Sequence, residues 1–110
     1  MKILVTGTAG FIGFHTAKQL REDGYQVSGI DNLNDDYDPK RKIARLDILK
    51  NYPACEFTRM DIKDKAEIDQ LFKTHDFDRV IHLAAQAGVR HSIENPMVYV
   101  ETNLVGFANI

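Results

Sequence analysis

Three glycines, Gly7, Gly10 and Gly13, recur at a spacing of three within Thr6-Gly7-Thr8-Ala9-Gly10-Phe11-Ile12-Gly13. A β-rich run, Lys2 to Thr6, precedes them, and a helical pattern from Phe11 to Asp23 follows. A glycine turn between a strand and a helix suits one task above others, the binding of a diphosphate. Gly7 permits a sharp turn off the strand, Gly10 removes a Cβ that would hold a pyrophosphate away from the main chain, and Gly13 lets the helix pack close to the sheet. The first N–H groups of the helix lack intrahelical partners, and the macrodipole favours an anion there. No Gly-Lys-Ser/Thr follows, so a P-loop is excluded. The alternative is a glycine-rich turn without a ligand; the strand before and the helix after argue against it.

Asp31 is an independent second point. It falls at the predicted end of a second strand, Gln26 to Ile30. A carboxylate there can accept hydrogen bonds from both hydroxyls of a ribose and repels a 2′-phosphate, which favours NAD over NADP. The alternative reading of Asp31-Asn32 is a turn-forming pair. Lys40, Arg41 and Lys42 stand nearby and could serve a 2′-phosphate, but they read as a solvated helix face.

Other chemistries find little support. Cys55 is the one cysteine, which precludes an intrachain disulfide and leaves zinc short of sulfur ligands; it reads as a small buried apolar residue. His15, His75, His82 and His91 form no i, i+4 pair, so a zinc helix is excluded. His82 continues an apolar strand and reads as a hydrogen-bonded core histidine. Asp35, Asp36 and Asp38 resemble a metal-binding carboxylate group, but acids before a helix are explained by its dipole, and no metal is expected.

These residues need elements to position them. Gly24 supplies the stop for the first helix. Asp38-Pro39 opens a second helix with Ile43, Leu46 and Leu49 as its apolar edge. Tyr52-Pro53 ends it, and a weaker strand follows over Cys55 to Met60. Asp64 to Glu67 is a capping-box variant that opens a third helix with Ile68, Leu71 and Phe72 inward. Arg79 to Ala84 reads as a fourth strand, its Val80-Ile81 pair suited to burial on both faces. Asn95-Pro96 opens a last helix carrying Val100, Leu104, Val105 and Ala108. The alternation βαβαβαβα predicts an α/β fold, a parallel sheet with helices on both sides. Right-handed crossovers then leave strand order 3-2-1-4, the first part of a doubly wound, Rossmann-type sheet.

The chain has 110 residues, 14 Lys+Arg against 16 Asp+Glu, and a formal net charge of −2. One domain is expected, with no electrostatic footprint for nucleic acid. No apolar run is long enough to span a membrane, and none near the start suits a signal peptide. A cytoplasmic setting is the expectation. Phe107-Ala108-Asn109-Ile110 stops inside a helical pattern without a glycine cap. We therefore expect residues 1–110 to be the N-terminal part of an NAD-binding Rossmann domain, with the rest of that domain and a substrate domain absent. An interrupted sheet would leave its fourth strand without a neighbour, so self-association through Val80-Ile81 and the last helix is expected.

Four segments carry a family resemblance: Thr6 to Gly13, Gly29-Ile30-Asp31-Asn32-Leu33, His82 to Arg90, and Asn103-Leu104-Val105-Gly106. Together they resemble the extended short-chain dehydrogenase/reductases, and within them the NAD-dependent sugar-nucleotide epimerase/dehydratase branch. Asp31-Asn32-Leu33-Asn34-Asp35 with the later Ala-Gly-Val-Arg-His-Ser run is most similar to the UDP-glucuronate 4-epimerases. The resemblance implies NAD as cofactor, with Gly7, Gly10, Phe11, Ile12 and Gly13 along its pyrophosphate. It implies Asp31, Asn32 and Asn34 at the adenosine ribose, and Asp61 and Ile62 flanking the adenine. Leu83, Ala84 and Ala85 would run beneath the nicotinamide ribose, and Asn103 would approach the cofactor from the last helix. Arg90 would meet the anionic part of a nucleotide-sugar substrate; its alternative is a structural ion pair.

The family's reaction is a transient oxidation of the sugar at C4, with a tyrosine of a Tyr-x-x-x-Lys motif as base and the lysine lowering its pKa. Four residues after Tyr25, Tyr37, Tyr52 and Tyr99 stand Gly29, Arg41, Glu56 and Asn103. The motif is absent, so no catalytic residue is assigned and this chain alone is expected not to epimerise. A sugar-nucleotide 4,6-dehydratase is the rival within the enzyme class. A non-catalytic dinucleotide-binding module is the rival outside it.

Overall fold

The computed structural model describes residues 1–33, 39–86 and 89–110, excepting the side chains of Pro39, Val89, Arg90 and His91. Its first strand, β1 (Lys2–Thr6), lies at the centre of a four-stranded sheet. It pairs in parallel with β2 (Gln26–Asp31) on one side and with β4 (Arg79–His82) on the other. β3 (Cys55–Arg59) pairs in parallel with β2, giving the order β3-β2-β1-β4. This is the predicted 3-2-1-4 arrangement. The crossovers are α1 (Phe11–Glu22), α2 (Pro39–Leu49) and α3 (Lys65–Thr74).

Alternate residues of a strand face opposite sides of a sheet, and β1 divides its side chains accordingly. Ile3 and Val5 join Phe14, Ala17, Val27, Leu46 and Leu49 beneath α1 and α2. Leu4 joins Ile30, Ile62, Ile68 and Leu71 beneath α3. Two apolar layers therefore sandwich the sheet, as a parallel sheet requires. Two of the predicted devices at helix ends are present, and a third, the Asp38 cap of α2, lies outside the described residues. Gly24 takes a φ of +95° after α1, and the Asp64 carboxylate accepts from the Glu67 N–H at the start of α3.

Several expectations need correcting. The buried edge of α2 is Lys42, Leu46 and Leu49, while Ile43 is 53% exposed. The true face runs i, i+4, i+7, and Ile43 lies one position round the helix from it. Lys42 is therefore not part of a solvated face. β4 is an edge strand, as expected of a fourth strand without a neighbour, so its Val80-Ile81 pair is not buried on both faces and Val80 is 39% exposed. It also stops at His82 rather than Ala84. The Thr6 hydroxyl oxygen accepts the N–H groups of Leu83 and Ala84 at 2.9 and 3.0 Å, pulling those residues out of the ladder.

The C-terminal region is more broken than its sequence pattern. A short helix with no signal in the sequence pattern, α4 (Val89–Glu94), precedes α5 (Pro96–Tyr99), which runs into a π-helical stretch, Val100–Gly106, before α6 (Phe107–Asn109). Val100, Leu104, Val105 and Ala108 are exposed. Gly106 and Ile110 pack against the core: a Cβ on Gly106 would stand 2.6 Å from the Ile62 side chain, and Ile110 joins the cluster of Leu4, Ile30 and Ile62. Cys55 is half-buried and free, and burial pushes its thiol pKa up, which suits an inert side chain. Among the described residues, no helix is long and apolar enough to cross a membrane.

Candidate functional site

Parallel strands place their C-terminal ends together, and a crevice opens where neighbouring crossovers leave in opposite directions. Here α1, after β1, covers one face of the sheet, and the helical segment after β4 lies with α3 on the other. The crevice between them is a cleft of about 380 Å³, within the range of small-ligand sites. One wall is the glycine turn after β1, the second is the end of β2 with α2, and the third is the segment after β4.

The glycine turn is shaped by main-chain bonds. Gly7 and Thr8 donate to the Ile30 carbonyl at 2.9 and 3.3 Å, and Gly10 donates back to the Gly7 carbonyl at 3.0 Å. Gly7 has a φ of +72°, and a Cβ there would lie 3.0 Å from Ala84 N and Leu83 C. Gly13 meets a harder restriction, because its Cβ would stand 1.9 Å from the Gly7 carbonyl oxygen. Gly10 is the N-cap of α1, with no side-chain cap bond and no acid in the first turn. The helix ladder opens with the Phe14 N–H on the Gly10 carbonyl at 2.9 Å. The N–H groups ahead of it are the positive end of α1.

Asp31 lies across the turn and is 8% exposed. One carboxylate oxygen accepts from the Ala9 N–H at 3.1 Å and the other from the Leu33 N–H at 2.8 Å. The carboxylate thus fastens the glycine turn to the end of β2, with lone pairs left for further donors. Asn32 donates from its side chain to Asp61 at 3.3 Å. Asp61 also accepts from the Lys63 N–H at 3.0 Å and faces the Lys63 ammonium at 3.8 Å. Ile62 is buried beside it.

Thr6 organises the third wall. Its oxygen receives two N–H donors, so its own proton goes to His82 Nδ1, 2.7 Å away. That assigns His82 the neutral tautomer protonated on Nε2, and burial holds its pKa below the ordinary value. His82 is a hydrogen-bonded, half-buried residue, not a ligand-facing one.

The structure brings Gly7, Gly10, Phe11, Asp31, Asn32, Asp61, Ile62, Leu83, Ala84 and Ala85 to this one cleft. Ile12 is 64% exposed and its side chain lies on the outer face of α1, next to His15 and Thr16. Asn103 is otherwise engaged: its amide oxygen accepts from Gln86 N at 2.7 Å and its amide nitrogen donates to Gln86 O at 3.1 Å. It pins the segment after β4, and its neighbour Thr102 is the residue that lines the cleft. Asn34, the Asp35 to Asp38 acids and the Arg90 side chain lie outside the described residues. Among the described residues no group of three or more His, Cys, Asp or Glu gathers as a metal site.

Arg41 and Lys42, read from the sequence as a solvated helix face, line the cleft from α2, together with Arg45, which sequence reasoning missed. Arg45 donates to the Ala9 carbonyl at 2.9 Å. The available signal was the spacing 42, 46, 49, which turns the basic start of α2 toward the sheet.

Comparison with known proteins agrees with this geometry. The chain is 47% identical over 107 residues to UDP-glucuronate 4-epimerase of Thermodesulfobacterium geofontis, covering 97% of this chain and 33% of that protein. Its fold superposes with a TM-score of 0.89 on UDP-glucuronic acid 4-epimerase of Bacillus cereus in complex with UDP-glucuronic acid and NAD. That pair is 36% identical, covering 99% of this chain and 34% of the other. UDP-glucose 4-epimerase of Thermotoga maritima, solved with UDP-glucose, gives a TM-score of 0.84 at 36% identity, over 99% of this chain and 32% of the other. The chain spans about a third of the length of the curated relatives it matches. The model of the GDP-mannose 4,6 dehydratase family matches residues 4–110, and the chain belongs to that family of nucleotide-sugar epimerases and dehydratases.

Proposed function

We propose that this chain is the NAD-binding part of a nucleotide-sugar epimerase that acts on UDP-glucuronate at C4. The observation that carries the reading is the joining of a bare glycine turn and a buried carboxylate in one cleft. Gly10 presents an uncapped helix N-terminus to that cleft, and a Cβ on it would meet only the Gly7 carbonyl, at 3.2 Å. A dinucleotide fits such a donor set: main-chain N–H groups for the diphosphate, Asp31 with Asn32 for the adenosine ribose, and Asp61 with Ile62 for the adenine. Leu83, Ala84 and Ala85 would pass beneath the nicotinamide ribose, where small residues allow close approach. When bound, NAD supplies a hydride acceptor for the sugar C4.

This chain's own residues bind and orient. Asp31 selects a free 2′-hydroxyl, because a 2′-phosphate would crowd a buried anion. Thr6 holds the Leu83-Ala84 segment against the glycine turn. Arg90 is assigned to the anionic part of the nucleotide sugar. Asn103, through Gln86, keeps the segment after β4 in place. With no Tyr-x-x-x-Lys in 110 residues, the chain alone should not turn over UDP-glucuronate. We place the protein in the cytoplasm, in keeping with its single free cysteine. The exposed apolar side chains of Val100, Leu104, Val105 and Phe107 are read as a surface for self-association; a monodisperse monomer in light scattering at high concentration would contradict that.

A sugar-nucleotide 4,6-dehydratase is the second reading, favoured by the description of the family model itself. Support for the epimerase comes from relatives such as the T. geofontis protein. Calorimetric titration tests the cofactor site. NAD and ADP-ribose should bind and NADP should not; failure of both NAD and ADP-ribose to bind refutes the reading.

A further inference from the structure

The peptide units on either side of Ala9 are held from two directions. Asp31 takes the Ala9 N–H at 3.1 Å, and Arg45 donates Nη1–H to the Ala9 carbonyl at 2.9 Å. The carbonyl belongs to the Ala9–Gly10 peptide, whose N–H in turn bonds the Gly7 carbonyl at 3.0 Å. Glycine leaves the peptide planes beside it freer to rotate than other residues do, so each anchor on the Ala9–Gly10 peptide narrows its orientation. We infer that Arg45 is a positioning residue for diphosphate binding: by gripping the Ala9 carbonyl opposite Asp31, it fixes the plane of the Ala9–Gly10 peptide and so the mouth of the α1 N-terminus. This inference rests on the dinucleotide reading of the cleft.

The arrangement separates two functions that share the cleft. Asp31 keeps its second anchor, the Leu33 N–H at 2.8 Å, whether or not Arg45 is present. The ribose carboxylate therefore stays in place when Arg45 is removed, while the Ala9–Gly10 peptide loses the donor on its carbonyl and keeps only the Gly10 N–H bond to Gly7. A ligand that uses the turn should suffer, and one that uses only the adenosine side should not. Charge alone predicts a different pattern. If Arg45 acted as a direct partner of the phosphates, its loss would be strongly salt-dependent and would leave the ligand-free turn unchanged.

The test compares the parent protein with R45M and R45K. Binding of ADP-ribose and of adenosine is followed by NMR titration at low and high salt, and amide exchange at Ala9 and Gly10 is measured without ligand. R45M should bind ADP-ribose about tenfold more weakly, the scale of a lost charge-assisted hydrogen bond. Adenosine affinity should stay within about twofold of the parent, and the Ala9 and Gly10 amides should exchange about tenfold faster in the free protein. R45K, whose ammonium can still donate to a carbonyl, should recover most of the loss in both measurements. Equal losses for ADP-ribose and adenosine, no loss for either, or a salt-dependent loss with unchanged amides would overturn the inference. If the parent binds neither ligand, the cofactor reading itself fails. The amide exchange then decides the grip on Ala9 by itself, since it needs no ligand.

Discussion

Gly13→Ala separates two opposing effects of one methyl group. In the interior of a helix, alanine is favoured over glycine by about 1 kcal/mol. Against that, a Cβ at Gly13 would stand 1.9 Å from the Gly7 carbonyl oxygen and 2.7 Å from its carbon. Ordinary carbon–oxygen contact is about 3.3 Å, so the helix and the turn must part by about 1.4 Å. Both partners are main chain, so no rotamer can absorb the clash. Overpacking costs roughly 1–3 kcal/mol, and a rigid backbone contact belongs at the upper end. The net loss is then about 2 kcal/mol, or roughly 8–16 °C in Tm for a domain near this size. Circular-dichroism melts of the parent and G13A provide the assay. Gly24→Ala is the control, because its φ of +95° is unfavourable but nothing lies within 4 Å of the added carbon; it should cost about 1 kcal/mol. A G13A protein that melts at or above the parent temperature would refute the close-approach argument. NAD affinity should fall along with stability in G13A, since the displaced atoms belong to the diphosphate turn.

Thr6→Val removes the oxygen that accepts from Leu83 and Ala84 and the proton that His82 accepts; it should cost about 2 kcal/mol in urea denaturation, with Thr6→Ser close to the parent. The lowered His82 pKa also makes stability depend on pH. The unfolded chain takes up its proton near the ordinary value while the folded chain resists, so stability is complete above about 6.5 and falls as pH drops toward the folded value, then levels off. Urea midpoints of the parent and H82Q, compared between about pH 8 and about pH 5, should diverge in that window with the parent losing more; parallel curves would count against it. Asp31→Asn should weaken NAD binding about tenfold and narrow its advantage over NADP; an unchanged NAD-to-NADP ratio in calorimetry would remove Asp31 as the selector.

Much of the scaffold was legible because it is local. Gly7, Gly10 and Gly13 sit within one turn, and their spacing states a backbone requirement that neighbouring residues satisfy. Gly24 and Asp64 mark helix ends by the same short-range logic. The alternation of strand-like and helical runs, together with right-handed crossovers, was enough for the order β3-β2-β1-β4. Asp31 was recognisable because strand 2 must end beside the glycine turn.

What the linear pattern withheld depends on which neighbour each face meets. Periodicity identified α2 as a helix, but an apolar count chose Ile43 over Lys42, and only packing against the sheet turned the basic start of α2 into the cleft. Val80-Ile81 reads as a doubly covered strand; position at the sheet edge leaves Val80 open. The last helix reads as one element from Asn95-Pro96, yet it is divided into α5, a π-helical stretch and α6, with Gly106 buried against Ile62 and Leu104 exposed. Arg45 and Ala9 are far apart along the chain, and no local rule pairs an arginine with one particular carbonyl. Strand and helix formation, turn chemistry and cofactor class are dictated by short-range sterics and so are written in the sequence. Which side chain closes on which distant main-chain group is decided by three-dimensional packing, and that is where the grip on the diphosphate turn became visible.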